Sequence, residues 1–391
     1  MPPGRRGAGF RQKGSIVIYR ELGRSGLKVS QLGFGAMRLP MVGEGKEARV
    51  DDELAIPMIH RAFEAGVNYI DTAVGYGNGD SQRAVGVALK GWRDRVVVST
   101  KNHYYGEEEA DWWKHLEDSL RLLGVEWIDI YNHHGINWKG YRENVEPRVS
   151  QWMAKARDQG LIRHVCVSFH DDNDALRKIV DTGYAASITL QYNLLDRKLE
   201  DGIAYAKDKG LGVVVMGPVG GGRLGGASEV LEGAVAGIDR VPDLALRFVL
   251  SNPNVTVALS GMSTMEQVEE NLASASDAVS LSDADRAAID GHLVRLAKLA
   301  DLYCTGCGYC QPCPAEVAIP KIFDRYNRGR IYGLWESARA DYARLGTGWD
   351  KGAKADACTE CGQCEEKCPQ DIPIRQQLKE AHEALAETTE D

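Results

Sequence analysis

The chain has 391 residues, 43% hydrophobic and 26% charged, a size and composition that suit one large folded domain with a smaller appendage. Its net charge of −9 argues against non-specific affinity for nucleic acid or anionic lipid, and neither is expected as a partner. No apolar run approaches the roughly 20 residues that a membrane helix needs, and the basic start MPPGRRGAGFRQKGSIVIYREL has no apolar segment of the kind an export signal carries, so the expected location is the cytoplasm.

Residues 1–18 read as a disordered, glycine-rich extension, and a true translation start near Val17 is compatible with the sequence. From residue 31 a short β-branched run alternates with an amphipathic stretch eight times. The runs are QLGFGAM, NYIDT, VVVSTK, IDIYNHH, HVCVSFH, ITLQYN, VVVMGP and VTVALSG; between them lie segments such as ELAIPMIHRAFEAG and ADWWKHLEDSLRLLG, several ending on a helix-capping glycine. Strands alternating with helices imply parallel pairing with right-handed crossovers, and eight such units imply a (β/α)8 TIM barrel. A doubly wound open sheet is the rival α/β fold. Its dinucleotide fingerprint is missing: GYGNGDSQ at 75–82 follows a strand and precedes a helix, but its glycines do not fit G-x-G-x-x-G, and it reads as a loop. After TMEQVEENL the pattern turns purely helical, which places a domain boundary near residue 300: a barrel over 19–298 and a mainly helical domain over 299–391 with a frayed acidic tail.

Chemistry in a (β/α)8 barrel gathers where the strands end. Asp71, Lys101, His134 and Gln191 stand at such ends, and Tyr76 lies in the loop after the second strand. A carboxylate, an amine, a phenol and an imidazole on one mouth make an acid–base site. A phenol ordinarily titrates near pH ~10, and a neighbouring ammonium lowers that value toward working pH.

The segments NYIDTAVGYG, VVVSTK and IDIYNHH resemble the catalytic segments of the aldo-keto reductases, and the resemblance extends over residues 19–275. It implies a nicotinamide-dependent carbonyl reductase whose tetrad is Asp71, Tyr76, Lys101 and His134, acting on a small-molecule carbonyl or alcohol. His133 then reads as a packed neighbour of His134. Ser168 and Gln191 resemble the family's carboxamide contacts, although Phe169 stands where an asparagine is common. VVMGPVGGGRL, with Gly220, resembles the segment that approaches the pyrophosphate, with Met216 in place of a stacking aromatic. SGMSTMEQVEENL resembles the adenosine-phosphate segment and keeps Glu270 and Asn271. Gly261 and Gln267 occupy positions where many members carry the Lys and Arg that meet the 2′-phosphate. The cofactor is therefore NAD(H) or NADP(H), with NADH expected to bind at least as well as NADPH, or nicotinamide binding is weak. Trp138 and Trp152 are aromatic residues near the expected mouth for which packing is the simpler role, and Cys166, inside HVCVSF, reads as a small buried hydrophobe.

The other eight of the nine cysteines all lie beyond residue 300, as Cys304, Cys307, Cys310, Cys313 and Cys358, Cys361, Cys364, Cys368. Without an export signal, such clustering points to metal ligation over disulfides. Structural zinc sites space cysteines in separated pairs. The strings CTGCGYCQPCP and CTECGQCEEKCP instead follow the iron–sulfur run C-x2-C-x2-C…C-P, the second with the full bacterial spacing and the first one residue short, and together they supply ligands for two [4Fe–4S] clusters. In two-cluster ferredoxins the fourth cysteine of each string ligates the other cluster. That resemblance assigns Cys304, Cys307, Cys310 and Cys368 to one cluster, and Cys358, Cys361, Cys364 and Cys313 to the other. The whole chain looks like the aldo-keto reductases that carry a C-terminal dicluster ferredoxin-type domain.

A cluster passes single electrons whereas a nicotinamide passes a hydride, and no clear flavin motif bridges the two. Three readings stay open at this level. The clusters relay electrons between the substrate and a ferredoxin-like partner, or they are structural beside an independent carbonyl reductase, or the chain is a non-enzymatic electron-transfer or redox-sensing module on an inert barrel.

Overall fold

The computed structural model describes residues 17–276, 281–299, 304, 308–348, 350–368 and 372–386. Most of the expected N-terminal extension, Cys307 of the first cysteine string and the acidic tail beyond 386 lie outside the described residues.

Eight parallel strands close into a barrel: β1 (Leu32–Gly35), β2 (Tyr69–Asp71), β3 (Val97–Asn102), β4 (Ile128–Ile136), β5 (Ile162–Phe169), β6 (Ser187–Gln191), β7 (Gly212–Met216) and β8 (Val257–Gly261). Each pairs with the next in chain order and β8 closes on β1, as the alternating β and α periods required. Helices follow the strands: α1 (Asp52–Glu64), α2 (Ser81–Ala88), α3 (Glu109–Leu123), α4 (Ser150–Asp158), α5 (Asn173–Asp181), α6 (Glu200–Asp208), α7 (Val241–Leu250) and α8 (Met265–Ser274). Local chemistry sets several of their starts. Asp51 accepts from the backbone N–H groups of Glu53 and Leu54 at the head of α1, and Asp172 and Thr264 cap α5 and α8 in the same way. The chain leaves α3 through Gly124 in a left-handed conformation.

An antiparallel pair, Tyr19–Glu21 with Lys28–Ser30, precedes β1. Its Leu22 and Val29 join Tyr69, Ile130, Cys166, Val214 and Val257 in one buried cluster, so apolar side chains plug the barrel at the end where the strands begin. Polar chemistry is left to the opposite end.

The chain divides into two compact units. One holds the chain up to Pro218 together with the segment that starts at Leu246; the other holds Val219–Ala245 together with the chain from Leu281 onward. The second unit is helical, with α9 (Asp283–Leu299), α10 (Ile319–Tyr332), α11 (Trp335–Ala343) and α12 (Ile374–Ala386). Its core is built by Val317, Ile322, Phe323, Ala338, Tyr342, Leu378 and Ala381, with Cys304, Cys310, Cys313, Cys358, Cys364 and Cys368 packed against them. Among the described residues no helix is long and apolar enough to cross a membrane.

Candidate active site and cysteine centre

Strand register assembles the polar mouth. Asp71 at the end of β2 lies opposite Ser99 of β3, and Lys101 of β3 lies opposite Asn132 of β4. Side chains two apart on a strand share a face, so Ser99 and Lys101 both reach Asp71. Lys101 Nζ donates to one Asp71 carboxylate oxygen and, at 2.9 Å, to the Thr72 carbonyl. Ser99 Oγ donates to the other Asp71 oxygen at 2.8 Å, and Asn132 Nδ2 donates to Ser99 Oγ at 3.1 Å. Lys101 is 1% exposed and Asp71 3%, so the ion pair is cut off from water. Asn132 and Ser99 escaped the sequence reading because each resembles ordinary strand polarity; only register shows that they continue the tetrad's hydrogen-bond chain.

Tyr76 opens a tight turn, Tyr76–Gly79, in which Gly77 and Asn78 take left-handed φ angles of 57° and 54°. This is the segment read as a loop. The turn sets the phenol over the ion pair: Lys101 Nζ lies 4.8 Å from the centre of the Tyr76 ring. The His134 ring meets the Tyr76 ring edge-on, with centres 6.0 Å apart. Tyr105 donates its hydroxyl to the His134 carbonyl at 2.7 Å and so fixes the backbone there.

Electrostatics give these groups definite charge states. Burial pulls the Lys101 ammonium down, but Asp71 and then Tyr76 more than offset it, and the amine stands above its ordinary value. Burial lifts the Tyr76 phenol above its ordinary value, and Lys101 draws it only part of the way back. The expected lowering toward working pH is thus outweighed by desolvation, and Tyr76 holds its proton. Burial, aided by Lys101, His103 and His170, pushes His134 down to about 4, so its imidazole is neutral near pH 7. His133, on the opposite face of β4, is buried, hydrogen-bonds the Tyr184 hydroxyl at 2.9 Å and is pushed down to about 3. Strand alternation separates the two histidines: His134 faces Tyr76, and His133 packs away from it.

The other sequence-predicted residues distribute around the barrel. Ser168 lies near the end of β5, buried, with an Oγ that has no hydrogen-bond partner among the described residues, an orphaned polar atom of the kind a bound carboxamide satisfies. Gln191 and Met216 end β6 and β7 directly opposite each other in register. On α8, Asn271 is buried and donates to Ser260 Oγ at 2.9 Å, with half-buried Glu270 beside it in sequence. A side chain at Gly261 would meet the stem of Arg38, from the segment after β1, its Cβ 3.4 Å from that stem, and sequence spacing did not reveal this nearby cation. Gly220 belongs to the second unit, buried, with φ 59°. Phe169 is buried; Trp138 stacks on Tyr141 and Trp152 packs against Trp112. Cys166 is fully buried and accepts from Ser187 Oγ at 2.8 Å.

In the second unit a shallow recess is walled by Cys313, Cys358, Cys361 and Cys364, together with Cys310, Lys367 and Arg375. Cys313 of the first string thus faces the same space as three cysteines of the second, whereas Cys368 is not part of its wall. The Glu360 N–H donates to Cys358 Sγ at 3.4 Å.

The model of the aldo/keto reductase family matches residues 31–294, and that of the 4Fe-4S dicluster domain matches 303–372. The chain belongs to the aldo/keto reductase family. It is an oxidoreductase with an aldo/keto reductase barrel and a C-terminal 4Fe-4S dicluster domain. Similar proteins include the NADH-specific methylglyoxal reductase of Escherichia coli, 28% identical over 316 residues that cover 68% of this chain and 94% of the relative. The L-galactose dehydrogenase of Arabidopsis thaliana is 28% identical over 294 residues, covering 68% and 90%. Among solved structures, aldo-keto reductase AKR11C1 from Bacillus halodurans in its holo form is 27% identical with a TM-score of 0.61, over 71% of this chain and 96% of that one.

Acid should destabilise this aldo/keto reductase in a defined window. An unfolded chain protonates its histidines near pH ~6.5, whereas the folded chain keeps His134 neutral to about 4 and His133 to about 3. Between these limits the unfolded state binds more protons, so stability falls as pH drops below ~6.5 and the loss levels off below about 3. Urea midpoints measured against pH check this, and His133→Gln should flatten part of the slope.

Proposed function

We propose that the barrel interconverts a small-molecule carbonyl and its alcohol, with Tyr76 as proton donor. We propose further that two [4Fe–4S] clusters in the C-terminal domain relay electrons to or from a ferredoxin-like partner. The observation that carries the first part is the buried chain Asn132–Ser99–Asp71–Lys101 ending beneath the Tyr76 ring. A bound nicotinamide nucleotide would supply the hydride, two electrons at once, to the carbonyl carbon. Ser168, Gln191, Met216, Gly220, Glu270 and Asn271 would hold that nucleotide, and the unpartnered Ser168 Oγ supports the assignment. Tyr76 gives its phenolic proton to the developing alkoxide, and Lys101 balances the negative charge left on the phenol oxygen. Asp71 and the Thr72 carbonyl keep Lys101 in place. His134, neutral at working pH, orients the carbonyl oxygen by hydrogen bonding. Tyr76→Phe should lower kcat by about 10²–10⁴-fold while nucleotide affinity stays near that of the parent. Full turnover in this variant would sink the tetrad.

Gly261 and Gln267 offer no cation to a 2′-phosphate, and the E. coli relative is named for NADH. NADH is therefore proposed to bind at least as tightly as NADPH. Calorimetric titration with each nucleotide decides the matter; a marked preference for NADPH would overturn it and point to Arg38 as the replacement cation.

Of the eight cluster ligands, Cys304, Cys307, Cys310 and Cys368 are assigned to one cluster and Cys313, Cys358, Cys361 and Cys364 to the other. Support for the exchange comes from the recess of the second string, whose wall includes Cys313 and lacks Cys368, while Cys310 lines it as well. A structural role is the second reading, favoured by six cysteines packed on the small apolar core. Anaerobically purified protein should contain about eight irons per chain, and its visible absorption should bleach with a reduced ferredoxin. Clusters that are present but stay unbleached by ferredoxin and by nicotinamide would leave the structural role.

A further inference from the structure

His134 sits where the barrel wall is irregular. Its strand β4 pairs in register with β3 as far as Asn102 and His133, and its register against β5 shifts between His133 and Ile136, where Gly135 takes a φ of 74°. An irregularity of this kind re-aims a side chain, but it interrupts the ladder bonds that would otherwise fix the backbone. The imidazole assigned to the substrate carbonyl therefore stands on backbone that strand pairing holds incompletely.

Two arms of side chains from outside the strand close on this point. In the first, the Tyr105 hydroxyl donates to the His134 carbonyl at 2.7 Å, and the Tyr105 carbonyl accepts from Arg148 Nη2 at 2.9 Å. In the second, the buried His133 ring meets the Tyr184 hydroxyl at 2.9 Å, and the Tyr184 ring packs edge-on to Tyr141 with centres 5.9 Å apart. The Tyr105 ring links the arms, inclined at 29° to the His133 ring with centres 6.5 Å apart. Both arms end on one segment, Tyr141–Val149, whose turns are π-helical and run directly into α4. Such turns are rare, and they recur at functional sites. His133, a packed neighbour by sequence, anchors the residue before the imidazole that faces Tyr76.

We propose that Tyr105, Arg148 and His133 are positioning residues for His134, holding its imidazole at a fixed place on the barrel mouth from outside the strand. The proposal rests on the reading that His134 orients the substrate carbonyl. Each of the three acts through the placement of β4 and not on the reacting atoms.

Two readouts test this on full-length protein with its iron and sulfide assayed. The first needs no substrate. Because His134 in the parent stays neutral down to about 4, its imidazole NMR signal, identified by its loss in His134→Gln, should be flat from about pH 8 to about pH 6. In Tyr105→Phe water reaches the loosened ring, and the midpoint should rise by about one unit toward the ordinary ~6.5, so that the signal moves within that range. The titratable groups that face His134 are the same in both proteins: Tyr76, Lys101 with its partner Asp71, His103 and His170. The second readout is a double-mutant cycle on the NADH-dependent reduction of 4-nitrobenzaldehyde. Tyr105→Phe should lower kcat/KM for the aldehyde about 3–10-fold, as expected for one hydrogen bond, and should cause no further loss in the His134→Gln background. If Tyr105→Phe does not fold, Arg148→Gln opens the same arm and carries the same expectations. A flat His134 signal in these variants, or a loss of kcat/KM that is undiminished in His134→Gln, overturns the inference. Parental turnover in His134→Gln overturns the role proposed for His134 instead, while the NMR signal still decides whether the arms hold it.

Discussion

The barrel's chemistry depends on one buried ion pair. Asp71 and Lys101 are both withdrawn from water, and removing two charges from solvent costs several kcal/mol for each ion. Contact between them does not offset that cost unaided; the Thr72 carbonyl, Ser99 and, behind Ser99, Asn132 satisfy the remaining donors and acceptors. The pair therefore exists only because three parallel strands run in a register that sets Asp71 against Ser99 and Lys101 against Asn132. Everything in the proposed proton transfer follows from it. The ammonium beneath the Tyr76 ring is fixed in place and charged, and it faces a phenol that burial keeps protonated.

The C-terminal unit solves a different problem. Its apolar core is small, and cysteines of both strings pack around it instead of additional aliphatic side chains. A domain of this kind gains folding free energy when thiolates bind metal, so assembly of the proposed clusters would be linked to its folding. The same helices carry Asp341, His292 and the Tyr332 carbonyl, which meet Arg223, Val230 and Ser228 of the glycine-rich segment within that unit.

Much of this architecture was legible beforehand, and for identifiable reasons. Eight β-branched runs alternating with amphipathic stretches leave little freedom other than a parallel barrel, since each crossover must be right-handed and each strand must bury both faces. The residues proposed as the tetrad stood out in the sequence because polar groups at the ends of apolar strands are costly to bury without partners. The cysteine strings carry their chemistry in their spacing. Less visible were groups whose meaning depends on a neighbour from elsewhere in the chain. Ser99 and Asn132 look like unremarked strand residues until register places them behind Asp71. Arg38 acquires interest only because its stem lies near Gly261, more than two hundred residues away. The Tyr76 phenol was expected to be lowered by its lysine, but a balance between charge and desolvation cannot be judged without knowing burial.

Segment 219–245 marks the division most clearly. By sequence it is one more barrel loop, bounded by a strand and a helix; by packing it belongs with helices that begin some forty residues later. What the sequence by itself determined is what local periodicity and spacing encode: the (β/α)8 barrel, the acid–base residues at its strand ends, and two strings of cysteines spaced for iron–sulfur ligation. Tertiary structure alone decided that Ser99 and Asn132 stand behind Asp71, that desolvation outweighs Lys101 at the Tyr76 phenol, and which unit holds the glycine loop. Those outcomes turn on the register, burial and approach of residues distant in the chain, and no local pattern encodes such distances.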